Sequence, residues 1–501
     1  MVLFWTLLPW ASAIVVLVGC AAVRWFLRRR QTFWVRRGIP AAAEKPHLLY
    51  GNVKGITSER HTATILLQLY RGFRQRRLLA GGFNLLFSPV LLVIDPILIE
   101  RVLVHDFEQF QDRGLYANAQ GNPLFCETLF TLGGERWRDL RRQLGPALAT
   151  VNVRTLFEAT VRIAQSLTNY VAGQERPQEI EWADLLARYT TDVIGSCAFG
   201  IDCRTIRDRH RDEFRTMGHR AFQFSLRRMW KLRFGYTFRR LADVLRLCVQ
   251  ESSVERFFLQ LCHSTVLYRE SYQTVKRDFL QILLEMKGRG QLDMTQVAAQ
   301  CYQFFIAGFE TSASLLNFCL YELARNVDVQ RRLRLAISRA LDETDGQLSY
   351  DVVTSLDYLD QVVKETLRMY PPVDFLFRVS SVDYEIDGVG TIPRDTLFVV
   401  PVYAIHHDPE YYPQPEVYDP DRFAEQPADA KPLTFLPFGH GPRHCLGEHF
   451  GLMLVKVGLV SLLRTFRFSL DTDRMPASIS FKPRSLVLAP ASGVYLNVER
   501  V

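Results

Sequence analysis

Cys445 sits in the run Phe438-Gly439-His440-Gly441-Pro442-Arg443-His444-Cys445-Leu446-Gly447, a glycine-spaced loop that empties into an apolar stretch. Glycines let a backbone adopt dihedrals closed to other residues and approach a flat ligand closely. A helix from about Leu446 to Phe466 would turn its positive end back toward the sulfur and favour the thiolate, the form of cysteine that binds metals. Arg443, two residues earlier, is a fixed cation suited to a carboxylate on the same ligand. The chemistry implied is a cysteinate held against a metal; the competing reading is an inert buried thiol.

A second constellation is Ala307-Gly308-Phe309-Glu310-Thr311-Ser312, which puts a small residue, an acid and an alcohol in one turn of a long apolar stretch. Glu310 with Thr311 can deliver protons to a bound ligand, while Gly308 leaves room for a small one. An interruption of the helix would open the groove; close packing is the other explanation for Gly308 and Thr311. Trp137 and Arg141 are one helical turn apart and offer an indole donor and a guanidinium to a carboxylate. Glu365 and Arg368 share a helix face, and with Arg422 they form a candidate buried network supporting the Cys445 loop, a structural role.

These residues need a scaffold. The expected elements are a helix over about Thr57 to Phe73, strands at Asn84 to Phe87 and Val90 to Ile94, and a helix started by Asp95-Pro96. Amphipathic helices follow from about Gly134 to Met286. Met229 to Tyr236 mixes aromatics with cations, as a surface dipping into lipid headgroups or a solvated loop would. A helix from Asp293 to about Asn326 is apolar on more than one face and should cross the middle of the molecule. Helices at Asp328 to Asp345 and Tyr350 to Tyr370 come next, the latter stopped by Pro371-Pro372. Strand signals then run over Phe377 to Ser380, Asp383 to Ile386 and Leu397 to Ala404. The fold class is α+β, mainly α, with segregated strands.

The chain has 501 residues, 48% of them hydrophobic and 23% charged, enough for one large core. Met1 to Val23 carries no charged residue, and Arg24, Arg28, Arg29 and Arg30 follow. That predicts a transmembrane signal anchor over 1–23 with the remainder on the cytoplasmic side. A basic, proline-stiffened tether over 24–52 and a catalytic domain over 53–501 complete the expected organisation. Nine scattered cysteines without a Cys-x-x-Cys pair argue against a disulfide framework or a zinc site. The net charge of +8 suits an anionic membrane or an acidic protein partner, and no nucleic-acid reader motif accompanies it.

The decapeptide ending at Gly447 carries every fixed position of the haem-binding signature Phe-x-x-Gly-x-Arg-x-Cys-x-Gly, and the chain after its N-terminal stretch resembles the cytochrome P450 superfamily. Asp112-Arg113-Gly114, Thr191 to Gly200, Arg277 to Leu280 and Ala307 to Ser312 resemble its insect microsomal branch, family six. The resemblance implies a triangular helical fold around haem b, with Cys445 as iron ligand, Phe438 beside it, and Trp137, Arg141, Arg443, Arg378 and Arg113 at the propionates. It implies a lipophilic pocket lined by Tyr116, Phe304, Phe305, Phe309, Val373, Phe375 and Leu376, with Asp374 either recognising a basic or hydroxylated group or facing solvent. It also implies NADPH-cytochrome P450 reductase as electron donor, cytochrome b5 as a second one, an endoplasmic reticulum location, and monooxygenation of xenobiotics. Hormone or fatty-acid oxidation, a haem-thiolate isomerase and a binding protein without turnover are the alternatives; the Glu310–Thr311 pair argues against the isomerase. His440 and His444 depart from the usual loop residues.

Overall fold

The computed structural model describes residues 2–148, 150–208, 213–424, 433–476 and 478–501, without the side chains of 2–9, 11, 12 and 151. The longer helices are α1 (Val2–Gln31), α2 (Thr62–Gln75), α3 (Gly134–Leu144), α4 (Thr150–Ala172), α5 (Trp182–Ile194), α6 (Glu213–Phe222), α7 (Leu226–Thr237), α8 (Ser252–Tyr272), α9 (Met294–Arg325), α10 (Val327–Asp342), α11 (Asp357–Met369) and α12 (Glu448–Leu463). Shorter helices fill the connections.

Helix α9 organises the larger core. Asp293 caps it with a reciprocal bond pair: Gln296 N donates to Asp293 Oδ1 at 2.8 Å, and Asp293 N donates to Gln296 Oε1 at 2.9 Å. Its 32 residues span about 48 Å at the standard rise. Helices α5, α6, α8, α11 and α12 pack around it, so nearly all of its sides are buried. Among the described residues α9 is the one helix long and apolar enough to cross a bilayer, and its burial makes it a core helix instead.

A smaller core forms on a four-stranded sheet of order β1 (Ala80–Leu85), β2 (Ser88–Val93), β6 (Leu397–Val400), β3 (Leu376–Val379). The β2–β6 pair is parallel and joins residues 88–93 to residues 397–400 in one sheet. The hairpin β4 (Tyr384–Ile386) with β5 (Gly390–Ile392), and the pair β7 (Phe466–Leu470) with β8 (Leu496–Arg500), stand apart. Leu86 and Phe87, expected in a strand, are outside it; Leu86 turns the chain at φ 56° and is fully buried. Residues 402–404, expected to extend β6, instead belong to the helix Val402–His406 that follows Pro401. Asp95 does cap the helix that Pro96 opens, accepting from Leu98 N at 2.9 Å. Met229 to Tyr236 belongs to α7 and not to a loop, with Met229, Arg233 and Gly235 buried.

The helix α1 runs past the expected boundary at residue 23; Trp10, Ile14, Val15, Val16, Leu17 and Val18 are exposed, while Leu27 near its end is buried. Met1 and the side chains of 2–9 lie outside the described residues. Beyond α1 the chain is docked rather than free. Trp34 is 1% exposed, donates its indole N–H to Phe83 O at 3.0 Å, and lies so close over Gly82 that a Cβ there would come within 2.4 Å of the ring.

Candidate active site around Cys445

The loop before α12 is shaped by two glycines in the left-handed region, Gly439 and Gly441, both at φ 72°. A Cβ on Gly441 would meet Leu103 O at 2.1 Å, so no side chain fits there. The loop closes on itself as Cys445 N donates to Phe438 O at 2.9 Å. Cys445 is solvent-accessible, yet burial is the largest influence on its thiol and pushes its pKa up. The surface it touches is therefore an enclosed cleft. Hydrogen bonding from the Gly447 backbone, together with Arg141 and Arg113, acts in the opposite sense, while Glu448 adds to the upward push. The helix expected from about Leu446 to favour the thiolate begins only at Glu448, and here burial outweighs what favours the ionised sulfur. A bound metal cation would reverse that balance.

Arginines crowd this cleft. Arg113, Arg378, Arg443 and Arg141 are all held below the usual guanidinium range, in each case chiefly by burial; Arg378 is pushed down to about 10 and Arg443 to about 9. Arg113 is further lowered by Arg378, Arg443 and Arg141, and raised by Cys445. Asp112 offsets part of the repulsion at Arg443. The Nε of Arg378 is buried without a hydrogen-bond partner. Gathered cations with an orphaned buried donor fit a ligand bearing carboxylates, and a haem with two propionates is such a ligand.

The roles divide among them. Arg443 spends one donor on each of Gln111 O (3.0 Å), Leu129 O (3.1 Å) and Leu132 O (2.7 Å), and its guanidinium lies 3.9 Å over the Trp137 ring. It ties the Cys445 loop to the chain before α3 as much as it faces a ligand. Arg113 reaches Phe130 O at 2.9 Å, and Arg378 reaches Phe377 O at 2.8 Å.

Above the cleft, Ala307 is exposed in the middle of α9, and Gln303, Ile306, Gly308, Glu310 and Thr311 beside it are part-exposed. The face of α9 turned to the cleft is thus Gln303–Ala307–Thr311, one side chain per turn. Thr311 Oγ1 donates to Ala307 O at 2.5 Å and α9 continues unbroken, so the expected interruption is absent. Gly308 does not face the cleft either: a Cβ there would lie 2.5 Å from Ile194 Cδ1, so the glycine admits α5.

Of the aromatics expected in the pocket, Tyr116, Phe304, Phe305 and Phe309 are buried in packing among neighbouring side chains. Phe305 is fully buried against Phe214, Phe258 and Phe309, with ring centroids 4.3, 5.1 and 5.5 Å away. Phe304 stacks on Phe279 at 4.6 Å. Tyr116 is 1% exposed, packs on Gly235 and donates to Asp243 Oδ1 at 3.0 Å. Val373 is exposed, Phe375 and Leu376 part-exposed, and Leu376 lies against Gly439. Asp374 takes neither expected course. It is 1% exposed, its carboxyl is pushed by burial up to about 7, and it points at the equally buried His61, 3.9 Å away.

Below the loop, the expected trio is assembled. Arg368 holds Glu365 through two bonds of 2.7 and 2.8 Å with both side chains fully buried, and Arg422 Nε lies 3.4 Å from Glu365 Oε1. Arg368 also donates to His406 O at 2.9 Å. His406 was not legible in sequence: it is remote from Arg368 and obeys no spacing rule. Its Nε2 accepts from Leu436 N at 2.9 Å, which leaves Nδ1 as the donor to Arg368 O at 3.1 Å. It thereby joins the ion pair to the segment leading into the Cys445 loop.

Burial, then His407 and Arg368, lower the His406 pKa to about 3. An unfolded histidine titrates near 6.5, so between those values the unfolded chain takes up a proton that the folded one refuses. His406 therefore contributes stability that is complete above the unfolded pKa and is lost as pH falls toward 3. In urea unfolding at pH 7 and pH 5, H406Q, which keeps an acceptor for Leu436 N, is expected to lose about 2 kcal/mol less over that interval than the parent protein.

The profile of the family described as "Cytochrome P450" matches residues 42–497. The chain belongs to this family. Its relatives include "Cytochrome P450 6a2" of Drosophila melanogaster, 36% identical over 97% of this chain and 99% of that protein. "Probable cytochrome P450 6a13" of Drosophila melanogaster is 40% identical over 94% and 95%, and "Cytochrome P450 6A1" of Musca domestica 38% over 95% of each. The similarity is to insect family six. A cytochrome P450 of this branch carries haem b on a cysteine thiolate and acts as a monooxygenase. The triangular helical fold with small sheets is that of the family.

Proposed function

We propose that this P450 oxygenates lipophilic foreign compounds, with Cys445 as the iron ligand and Arg113, Arg141, Arg378, Arg443 and Trp137 as the propionate cradle. The observation that carries the assignment is the cationic cluster with its orphaned Arg378 Nε around an accessible cysteine on a loop that tolerates no side chain at Gly441. Haem supplies dioxygen binding and electron transfer to it, the thiolate favouring O–O cleavage. The protein's own residues supply the rest. Ala307 leaves space over the cleft, and Val373 and Leu376 offer apolar walls. Asp374 is turned away to His61, so the loop it stands on presents no charge to a substrate. That favours neutral, apolar ligands.

Glu310 and Thr311 hold protons beside the cleft. Thr311 donates to Ala307 O and can turn its hydroxyl outward, and Glu310 recharges it. Replacing Thr311 by alanine is expected to lower product formation by about a hundredfold, the scale of one acid–base group. NADPH consumption should continue with its electrons recovered as hydrogen peroxide; unchanged product yield would remove Thr311 from the relay.

Electrons come from NADPH through cytochrome P450 reductase, with cytochrome b5 as a second donor, on the side of α3 where Arg138 and Arg142 are exposed, each paired with an exposed carboxylate, Glu108 and Asp139. The α1 helix, with its exposed apolar side chains and the arginines that follow, anchors the protein in the endoplasmic reticulum with the catalytic body cytoplasmic. The test is mass-spectrometric turnover by membranes carrying the protein and reductase, given NADPH and a panel of plant toxins, insecticides, steroids and fatty acids. Oxygenated products from many unrelated compounds support the reading. A single steroid or fatty-acid product class would replace it.

A further inference from the structure

The acid on α9 has a partner that neither the loop motif nor the family membership supplies. His219 of α6 places Nδ1 2.5 Å from Glu310 Oε1; the Glu310 side chain is 15% exposed and that of His219 43%. The approach has a structural cause one residue away. Gly218 lies against the rings of Phe305 and Phe309, so closely that a Cβ there would come within 2.9 and 3.0 Å of them. Without a side chain at 218, α6 seats tightly on the aromatic face of α9. The next residue is thereby brought level with Glu310, and its ring lies edge-on to Phe309 at 5.3 Å.

We propose that His219 is a positioning residue for Glu310: through its Nδ1–H it holds the carboxylate in one rotamer beside Thr311. Glutamate otherwise has three side-chain torsions to sample, and a charge-assisted bond on a part-buried carboxylate is strong enough to select one. The bond spans from α6 to α9, so it forms only when α6 is seated. The relay is therefore set with the helix in place and slack when it lifts. This rests on the reading of Glu310 as the relay acid.

The experiment compares the holoenzyme with H219A, H219N, E310Q and H219A/E310Q, reconstituted with reductase and NADPH. It measures hydrogen peroxide released per NADPH consumed, alongside the thiolate-type carbon monoxide spectrum as a check on folding. Asparagine places an amide N–H where Nδ1 stood. H219A is expected to raise the peroxide fraction about threefold to tenfold, the effect of losing one ordinary, partly solvent-exposed hydrogen bond, with the carbon monoxide spectrum retained. H219N should restore the fraction to within about twofold, and H219A should add nothing once Glu310 is glutamine. An unchanged fraction in H219A, or H219N behaving as H219A does, would overturn the role of His219. An E310Q that leaves the fraction unchanged would instead sink the assignment of Glu310, whatever His219 does.

Discussion

Cys445→Ser is expected to abolish turnover, by at least about a thousandfold, while leaving the chain folded. The loop's shape does not depend on the sulfur: Gly441 against Leu103 O, the Cys445 N to Phe438 O bond and the three carbonyl bonds of Arg443 all survive the change. What is lost is the ligand. A serine hydroxyl is far less acidic than a thiol and less polarisable, so it cannot supply the electron density that a cysteinate gives iron. The purified variant should show a near-normal thermal unfolding midpoint without haem and no thiolate-type carbon monoxide spectrum. A retained spectrum would mean that another cysteine ligates the iron. Among the described residues Cys197, Cys203, Cys301 and Cys319 lie in the packed core with thiols raised by burial.

The Cys445 loop was legible because its demands are local. Each of its fixed residues answers a need within ten positions: backbone freedom at Gly439 and Gly441, a cation at Arg443, an accessible thiol at Cys445. The Glu365–Arg368 pair was legible for the same reason, one helical turn on a single face. The lining of the cleft was not. Helix α9 is apolar on nearly every side because its neighbours bury nearly every side, and periodicity cannot say which face of such a helix meets a void. Phe304, Phe305 and Phe309 are the bulky candidates, and packing takes them first, Phe304 against Phe279 and the other two against α6 and α8. The cleft receives Ala307, a residue too small to attract notice. Gly308 shows the same ambiguity from the other side, since room for a gas and room for Ile194 demand the same residue. His219 and His406 were invisible because each is a single histidine whose partner lies on another element.

Removing Arg368 should cost the fold itself. Arg368→Ala strands Glu365 as a fully buried carboxylate, together with the His406 carbonyl that Arg368 serves. Breaking a buried pair by deleting one partner typically costs about 3–5 kcal/mol, a large fraction of the roughly 5–15 kcal/mol that holds a folded domain. Asp419 N, which donates to Glu365 Oε1 at 3.0 Å, loses its register with the carboxylate, and His406 loses the constraint that lets it meet Leu436 N. The disturbance therefore reaches the segment entering the Cys445 loop. R368A is expected to yield little or no haem protein with a thiolate-type carbon monoxide spectrum, and R368K an intermediate amount, because an ammonium keeps the charge but not the two-pronged grip. Haem content per folded protein, with a urea midpoint on the soluble fraction, measures both effects. An R368A variant that bound haem normally would show that Glu365 is satisfied by Arg422 and Asp419 N alone.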